Sequence, residues 1–206
     1  MGMDLHTIVA CPGGVEQAED LRCWMNAALF PDATRLHDVI RRQRFYERYT
    51  GFGPFTPWEW EDEEERRVAS PPVEEFEEHR SIWYFGQWAV QVCRQTLIFG
   101  GFRVSLFANA DVRREWRRLI YPIAERLSSP FALYVPDCAS PEAAFDYAAE
   151  GLTLEEVRER LSREVGPSGL TIEATGDEHY RETREMDLWD NYWYVDDFTS
   201  LEHQDV

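Results

Sequence analysis

Lysine is missing from this sequence of 206 residues, so all 21 of its basic side chains are arginines. That absence removes Schiff-base chemistry, the lysine of a phosphate-binding P-loop and a lysine general base together. Cysteine is scarce: Cys11, Cys23, Cys93 and Cys138 are far apart and form no C-x-x-C pair. Neither a zinc knuckle nor a disulfide framework is implied, and reduced, mostly buried thiols are expected. No apolar run approaches the roughly 18 to 20 uncharged residues of a membrane span, and no basic-then-apolar leader opens the chain. A cytoplasmic protein without a membrane partner is expected. Positive charge is in short supply too, since 39 acids against 21 arginines leave a net charge of −18. That balance argues against nucleic acid as a ligand, because phosphate binding needs clustered, outward-facing Arg or Lys.

Catalytic signatures are equally thin. The histidines are His6, His37, His79, His179 and His203, and none belongs to an H-E-x-x-H motif or to an H-x-E followed by P-C-x-x-C. No serine sits in G-x-S-x-G. No catalytic set, metal ligand set or cofactor is therefore implied. Two places could still hold the site of an enzyme of an unrecognised family: Cys11, in the turn that follows the first apolar run, and the polar group Asp177, Glu178 and His179.

What the chain has is apolar and aromatic mass, 44% and 14% of its residues, enough for a substantial core. Its densest apolar runs lie in residues 81 to 136, where seven Arg against Asp111, Glu115 and Glu125 also make the one positively charged stretch, +4. Residues 1–50 sum to −1, residues 51–80 to −7 and residues 137–206 to −14. The reading is a weakly basic structural centre within an acidic shell.

In chain order, Leu5 to Cys11 is a β-branched run stopped by Pro12, Gly13 and Gly14, a strand and a turn. Val15 to Phe30 carries Ala18, Leu21, Trp24, Met25, Ala28 and Leu29 at helical spacing and is expected to end at Pro31; Thr34 to Tyr49 predicts a second helix. A strand, a glycine turn and a helix in that order suggest a phosphate loop only weakly, for lack of G-x-G-x-x-G or GK[ST]. Residues 51–72 read as a long connection, and the acids Glu61, Asp62, Glu63, Glu64 and Glu65, with Glu74 to Glu78 beyond, form a solvated face or a docking patch for a cationic partner.

SIWYF, WAVQVC and FRVSLFA predict three strands of an antiparallel meander, with Gly86 and the pair Gly100 and Gly101 as turns, although residues 88–99 would also fit a buried helix. Next, Asn109 or Asp111 caps a helix whose stripe is Val112, Trp116, Leu119, Ile120, Ile123 and Leu127, with Pro122 as a kink and Arg113, Arg114, Arg117 and Arg118 on its outer side. FALYV returns as a strand, so residues 102–135 read as a βαβ unit with a right-handed crossover. Ser140 and Pro141 start a short helix, Thr153 and Glu156 form a capping box for another, and residues 169–175 resemble a short strand.

The C-terminal run WDNYWYVDDF mixes large aromatics with acids. It predicts either a final edge strand or a binding surface on which Trp189, Tyr192, Trp193 and Tyr194 supply contact and Asp187, Asp190, Asp196 and Asp197 steer a basic partner. A metal site at Asp196 and Asp197 is disfavoured, because adjacent strand residues point to opposite faces. The fold expected is α+β, one domain with a mixed or largely antiparallel sheet of about four to six strands and about five flanking helices. The function expected is that of a non-enzymatic acidic binding protein that captures and neutralises a basic protein, in the manner of an immunity protein or inhibitor facing a toxin or nuclease; the alternatives are the unrecognised enzyme and an acidic mimic of nucleic acid.

Overall fold

A computed structural model describes residues 4–42, 81–85, 88–103, 107, 109–137, 140–168, 170–171 and 193–198. The fold is α+β, built on one seven-stranded sheet in the order β2-β3-β4-β1-β5-β7-β6. The strands are β1 (Asp4–Ala10), β2 (Ser81–Phe85), β3 (Trp88–Val92), β4 (Thr96–Arg103), β5 (Ala132–Pro136), β6 (Leu170–Thr171) and β7 (Tyr194–Asp196). All pairings are antiparallel except β6 with β7. The helices among the described residues are α1 (Gly14–Ala28), α2 (Phe30–Arg41), α3 (Ala110–Arg126), α4 (Ala143–Ala149) and α5 (Leu154–Glu164), with a 3-10 turn at Ser140–Glu142 before α4.

Strand alternation sorts the side chains into two cores. Leu5 and Val9 of β1, Leu97 and Phe99 of β4, and Ala132 and Tyr134 of β5 meet α1, α2 and α3 on one face. Ile8, Ile98, Leu133 and Val135 meet α4 and α5 on the other. Every residue of β5 is buried, as expected for a strand covered on both sides. The middle of the sheet therefore has no solvent face, and the backbone at its ends and the loops around it carry the surface chemistry.

Local rules explain most elements. Asn109 caps α3, its side chain accepting hydrogen bonds from the amides of Asp111 and Val112. The predicted stripe from Val112 to Leu127 is buried throughout. The capping box at Thr153 and Glu156 forms, and Leu154, Val157 and Leu161 are buried beneath it. At the end of α4, Gly151 adopts φ +88° and the Leu152 amide reaches back to the Tyr147 carbonyl, a left-handed cap that excludes most side chains.

Several expectations need correction. Pro31 does not close the first helix; it lies in the first turn of α2, where its missing N–H costs nothing, and α2 runs over Phe30–Arg41 rather than from Thr34. Gly100 and Gly101 are inside β4, not a turn. The β1–β4 register shifts between Leu5, paired with Phe102, and Thr7, paired with Phe99, so the two glycines face His6 alone and form a bulge. The turn falls instead at Cys93 to Gln95, which resolves residues 88–99 as strand, turn and strand. The sheet holds seven strands, the two-residue β6 adding to β7 at one end.

The expected βαβ unit exists in altered form: β4 and β5 both run antiparallel to β1, hence parallel to each other, and α3 carries the chain over the β1 strand that lies between them. No helix among the described residues is long and apolar enough to cross a membrane. Replacing Thr153 by Ala should cost about 1 kcal/mol, the usual worth of an N-cap; chemical denaturation should show a lower midpoint with an unchanged slope.

Candidate functional site

Helix α3 is amphipathic by periodicity, yet its buried set is wider than the apolar stripe and includes Arg113, Glu115 and Arg117. The sheet covers one side of α3 and α2 packs on another, so charged side chains next to the stripe are enclosed with it. Arg117 makes a two-pronged contact with Asp196 of β7: Nε donates to Oδ2 at 2.7 Å and Nη2 donates to Oδ1 at 2.9 Å. The side chains are only 7% and 2% exposed. Oδ1 also accepts from the Phe198 amide at 2.9 Å, and the Tyr134 hydroxyl lies 3.4 Å from Oδ2. The carboxylate thus has partners on both oxygens, as a buried charge requires.

Neighbouring polar groups are matched as well. Trp116 Nε1 donates to Thr7 Oγ1 at 2.9 Å, tying α3 to the central strand. Arg113 Nη1 donates to the Phe107 carbonyl at 3.0 Å. Glu115, buried, faces Arg118 at 3.1 Å, Arg114 at 3.6 Å and Arg35 of α2 at 3.7 Å. Arg113 and Arg117, expected on the outer side of the helix, are inside it, although the expectation that carboxylates of the same chain engage these arginines holds for Arg114, Arg117 and Arg118.

This arrangement decides the fate of the proposed contact residues that the structure describes. Trp193, Tyr194 and Asp196 are 1%, 1% and 2% exposed, so they are not surface contacts. Trp193 sits in the core on the α4 and α5 side, with Nε1 donating to the Gly166 carbonyl at 3.0 Å, and Tyr194 sits in the opposite core. Asp197 alone of the run Trp193 to Phe198 is exposed. Asp187, Trp189, Asp190, Tyr192 and the acids Glu61, Asp62, Glu63 and Glu64 lie outside the described residues, as do Asp177 to His179. The run was expected to close the sheet as its edge; β7 does join β5, but β6 lies outside it.

A sequence signal for the inward carboxylate existed. Tyr194, Asp196 and Phe198 share one face by period two, and the two aromatics bracket the acid on the side that must be buried. Asp196 and Asp197 accordingly point apart, and no group of three His, Cys, Asp or Glu able to hold a metal occurs among the described residues.

The Cys11 turn does not supply a nucleophile. Cys11 is fully buried and its Sγ is 3.4 Å from the Gly14 carbonyl. Burial pushes the thiol up to about 12, with the Gly14 hydrogen bond opposing and Cys93 adding to the rise. A reactive thiolate needs the opposite shift. Nor do the glycines form an anion cradle: the Gly14 amide bonds the Cys11 carbonyl at 2.9 Å, and the Gly13 amide bonds Gln17 Oε1 at 2.9 Å.

No family model matches this chain, and neither a curated protein nor a solved structure matches it.

Two outcomes follow from the geometry. Asp196→Ala leaves Arg117 buried and unpaired and should destabilise by about 3 to 5 kcal/mol, whereas the pair Arg117→Met with Asp196→Leu should recover much of that loss in the same denaturation experiment. At pH 8 a thiol titrating near 12 is ionised in only about one molecule in ten thousand. Iodoacetamide should therefore label exposed Cys23 and leave Cys11 unmodified in the folded chain, as read by peptide mass mapping.

Proposed function

We propose that this chain is a non-enzymatic acidic binding protein that captures and neutralises a basic protein partner, in the manner of an immunity protein or inhibitor. The observation that carries the reading is how the positive charge is spent. Arg22, Arg35, Arg114, Arg117, Arg118, Arg158, Arg160 and Arg163 each meet a carboxylate of the same chain. With these eight arginines engaged within the chain, the surplus of acids that makes the net charge −18 is what a basic partner would answer. A field of that sign speeds encounter with cationic proteins and repels nucleic acid.

Sequence places the surplus in two segments, residues 51–80 at −7 and residues 137–206 at −14. Asp197, directly after the anchored strand β7, is the proposed contact acid that is exposed among the described residues. Asp196 takes no part in capture; together with Arg117 it holds β7 in place. Free thiols at Cys11, Cys23 and Cys93 suit a cytoplasmic setting for this activity.

The test is capture by the immobilised full chain from its native host, followed by titration of the purified captured protein. The captured protein should be basic, with association slowing as salt rises. Neutralising Glu61, Asp62, Glu63, Glu64, Asp187, Asp190 and Asp197 to the corresponding amides should weaken binding about tenfold or more while the melting temperature stays level. Undiminished binding by that variant would overturn the reading.

A further inference from the structure

The sheet has two ends, and they are unequal. At one end β6 contributes two residues; at the other β2 contributes five, Ser81–Phe85, with no charge, proline or bulge in its pairing with β3. Such features are what protect exposed edges from pairing with other chains. The register pairs Phe85 with Trp88 across a two-residue connection, then Trp83 with Val90 and Ser81 with Val92. In an antiparallel hairpin of this kind those pairs exchange the hydrogen bonds, so the backbone N–H and C=O of Ile82 and Tyr84 are directed away from β3. Among the described residues no strand pairs with that outer side.

We infer that the outer edge of β2 accepts an extended segment of the basic partner as an eighth strand; this inference rests on the acidic-capture reading above. Main-chain hydrogen bonds to Ile82 and Tyr84 would supply the docking. Charge selects the occupant: Glu74, Glu75, Glu77 and Glu78 precede the strand by a few residues, interrupted only by Phe76 and followed by His79 and Arg80. A strand flanked by Arg or Lys complements a chain of net charge −18 whose sequence just before β2 is acidic, whereas a second copy of this chain would bring another −18 to the same edge.

The test uses the full chain, isotope-labelled, with a synthetic nonapeptide RRTVTVTRR as probe, its N-methylated version, which cannot pair, and a version flanked by Asp. In the free chain the amides of Ile82 and Tyr84 should exchange rapidly with solvent while that of Trp83 is protected. The arginine peptide should slow exchange at Ile82 and Tyr84; the N-methylated and Asp-flanked peptides should not. Ile82→Pro, which removes an outward amide and is tolerated at an edge, should weaken the arginine peptide about tenfold or more, whereas Trp83→Pro should lower stability.

Protection of Ile82 and Tyr84 in the free chain would overturn the inference, because a segment of the chain itself would then cover the edge. A dimer that Ile82→Pro converts to monomer would overturn it in favour of a second copy. Perturbation by the peptide confined to other amides would do so as well. If Ile82→Pro binds the captured partner as the unmodified chain does while the charge-neutralised variant does not, the edge assignment fails and acidic capture stands. If neither variant loses binding, acidic capture itself fails.

Discussion

The ion pair between Arg117 and Asp196 is the constraint on which the arrangement of the C-terminal third depends. It joins a helix in the middle of the chain to a strand 79 positions later, both side chains almost wholly out of water. A buried charge without its partner is far more costly than the pair is beneficial. Once α3 is seated on the sheet, Arg117 must therefore find a carboxylate, and Asp196 answers it with both oxygens while also accepting the Phe198 amide. Phe198, at φ +63°, turns the chain immediately after β7 and packs its ring against Tyr121 of α3, so polar and apolar contacts hold the same short strand. Trp193 pins the strand's other face to the Gly166 carbonyl at the end of α5. Three described strand residues would form a weak element by themselves; inserted between β5 and β6 and held from both layers, they are integral to the sheet.

Arginine suits this role better than lysine would. Its planar fork matches a carboxylate in two parallel bonds and is more weakly hydrated than an ammonium, which lowers the cost of burial. Much of the arginine in α3 is spent in this way, on Asp196, on Glu115 and Asp111, and on the Phe107 carbonyl. A segment that looks basic in sequence thereby has most of its charge answered within the chain. Its charge organises the core, and the acidic remainder of the chain sets the outward field.

Coverage of the central strands on both faces has a second consequence. Helices α1, α2 and α3 occupy one side of these strands and α4 and α5 the other, so loops, helix surfaces and sheet ends carry the surface chemistry. The Cys11 turn, the most suggestive local motif, is closed by its own hydrogen bonds and packed so closely that an added Cβ at Gly14 would lie 3.3 Å from the Arg94 carbonyl. Gly14 serves close packing of the start of α1 against the β3–β4 turn, and burial keeps the Cys11 thiol protonated.

Period and punctuation alone determine a good deal of this protein. The first strand, the helix stripe from Val112 to Leu127, the Asn109 cap, the Thr153 capping box and the α+β class all follow from short-range rules, because each depends on residues within one or two turns of one another. Punctuation misleads where one residue serves two conformations: proline starts α2 as readily as it would have ended α1, and two glycines make a bulge as readily as a turn. What only tertiary structure decided is which side of α3 the arginines occupy and whether Trp193, Tyr194 and Asp196 face in or out. Local periodicity assigns a charge to solvent because solvation is the cheapest option for an isolated element. That option is lost when α2 and the sheet enclose the helix, and a partner distant in sequence then fixes where Arg117, Asp196 and the strand that carries it must lie.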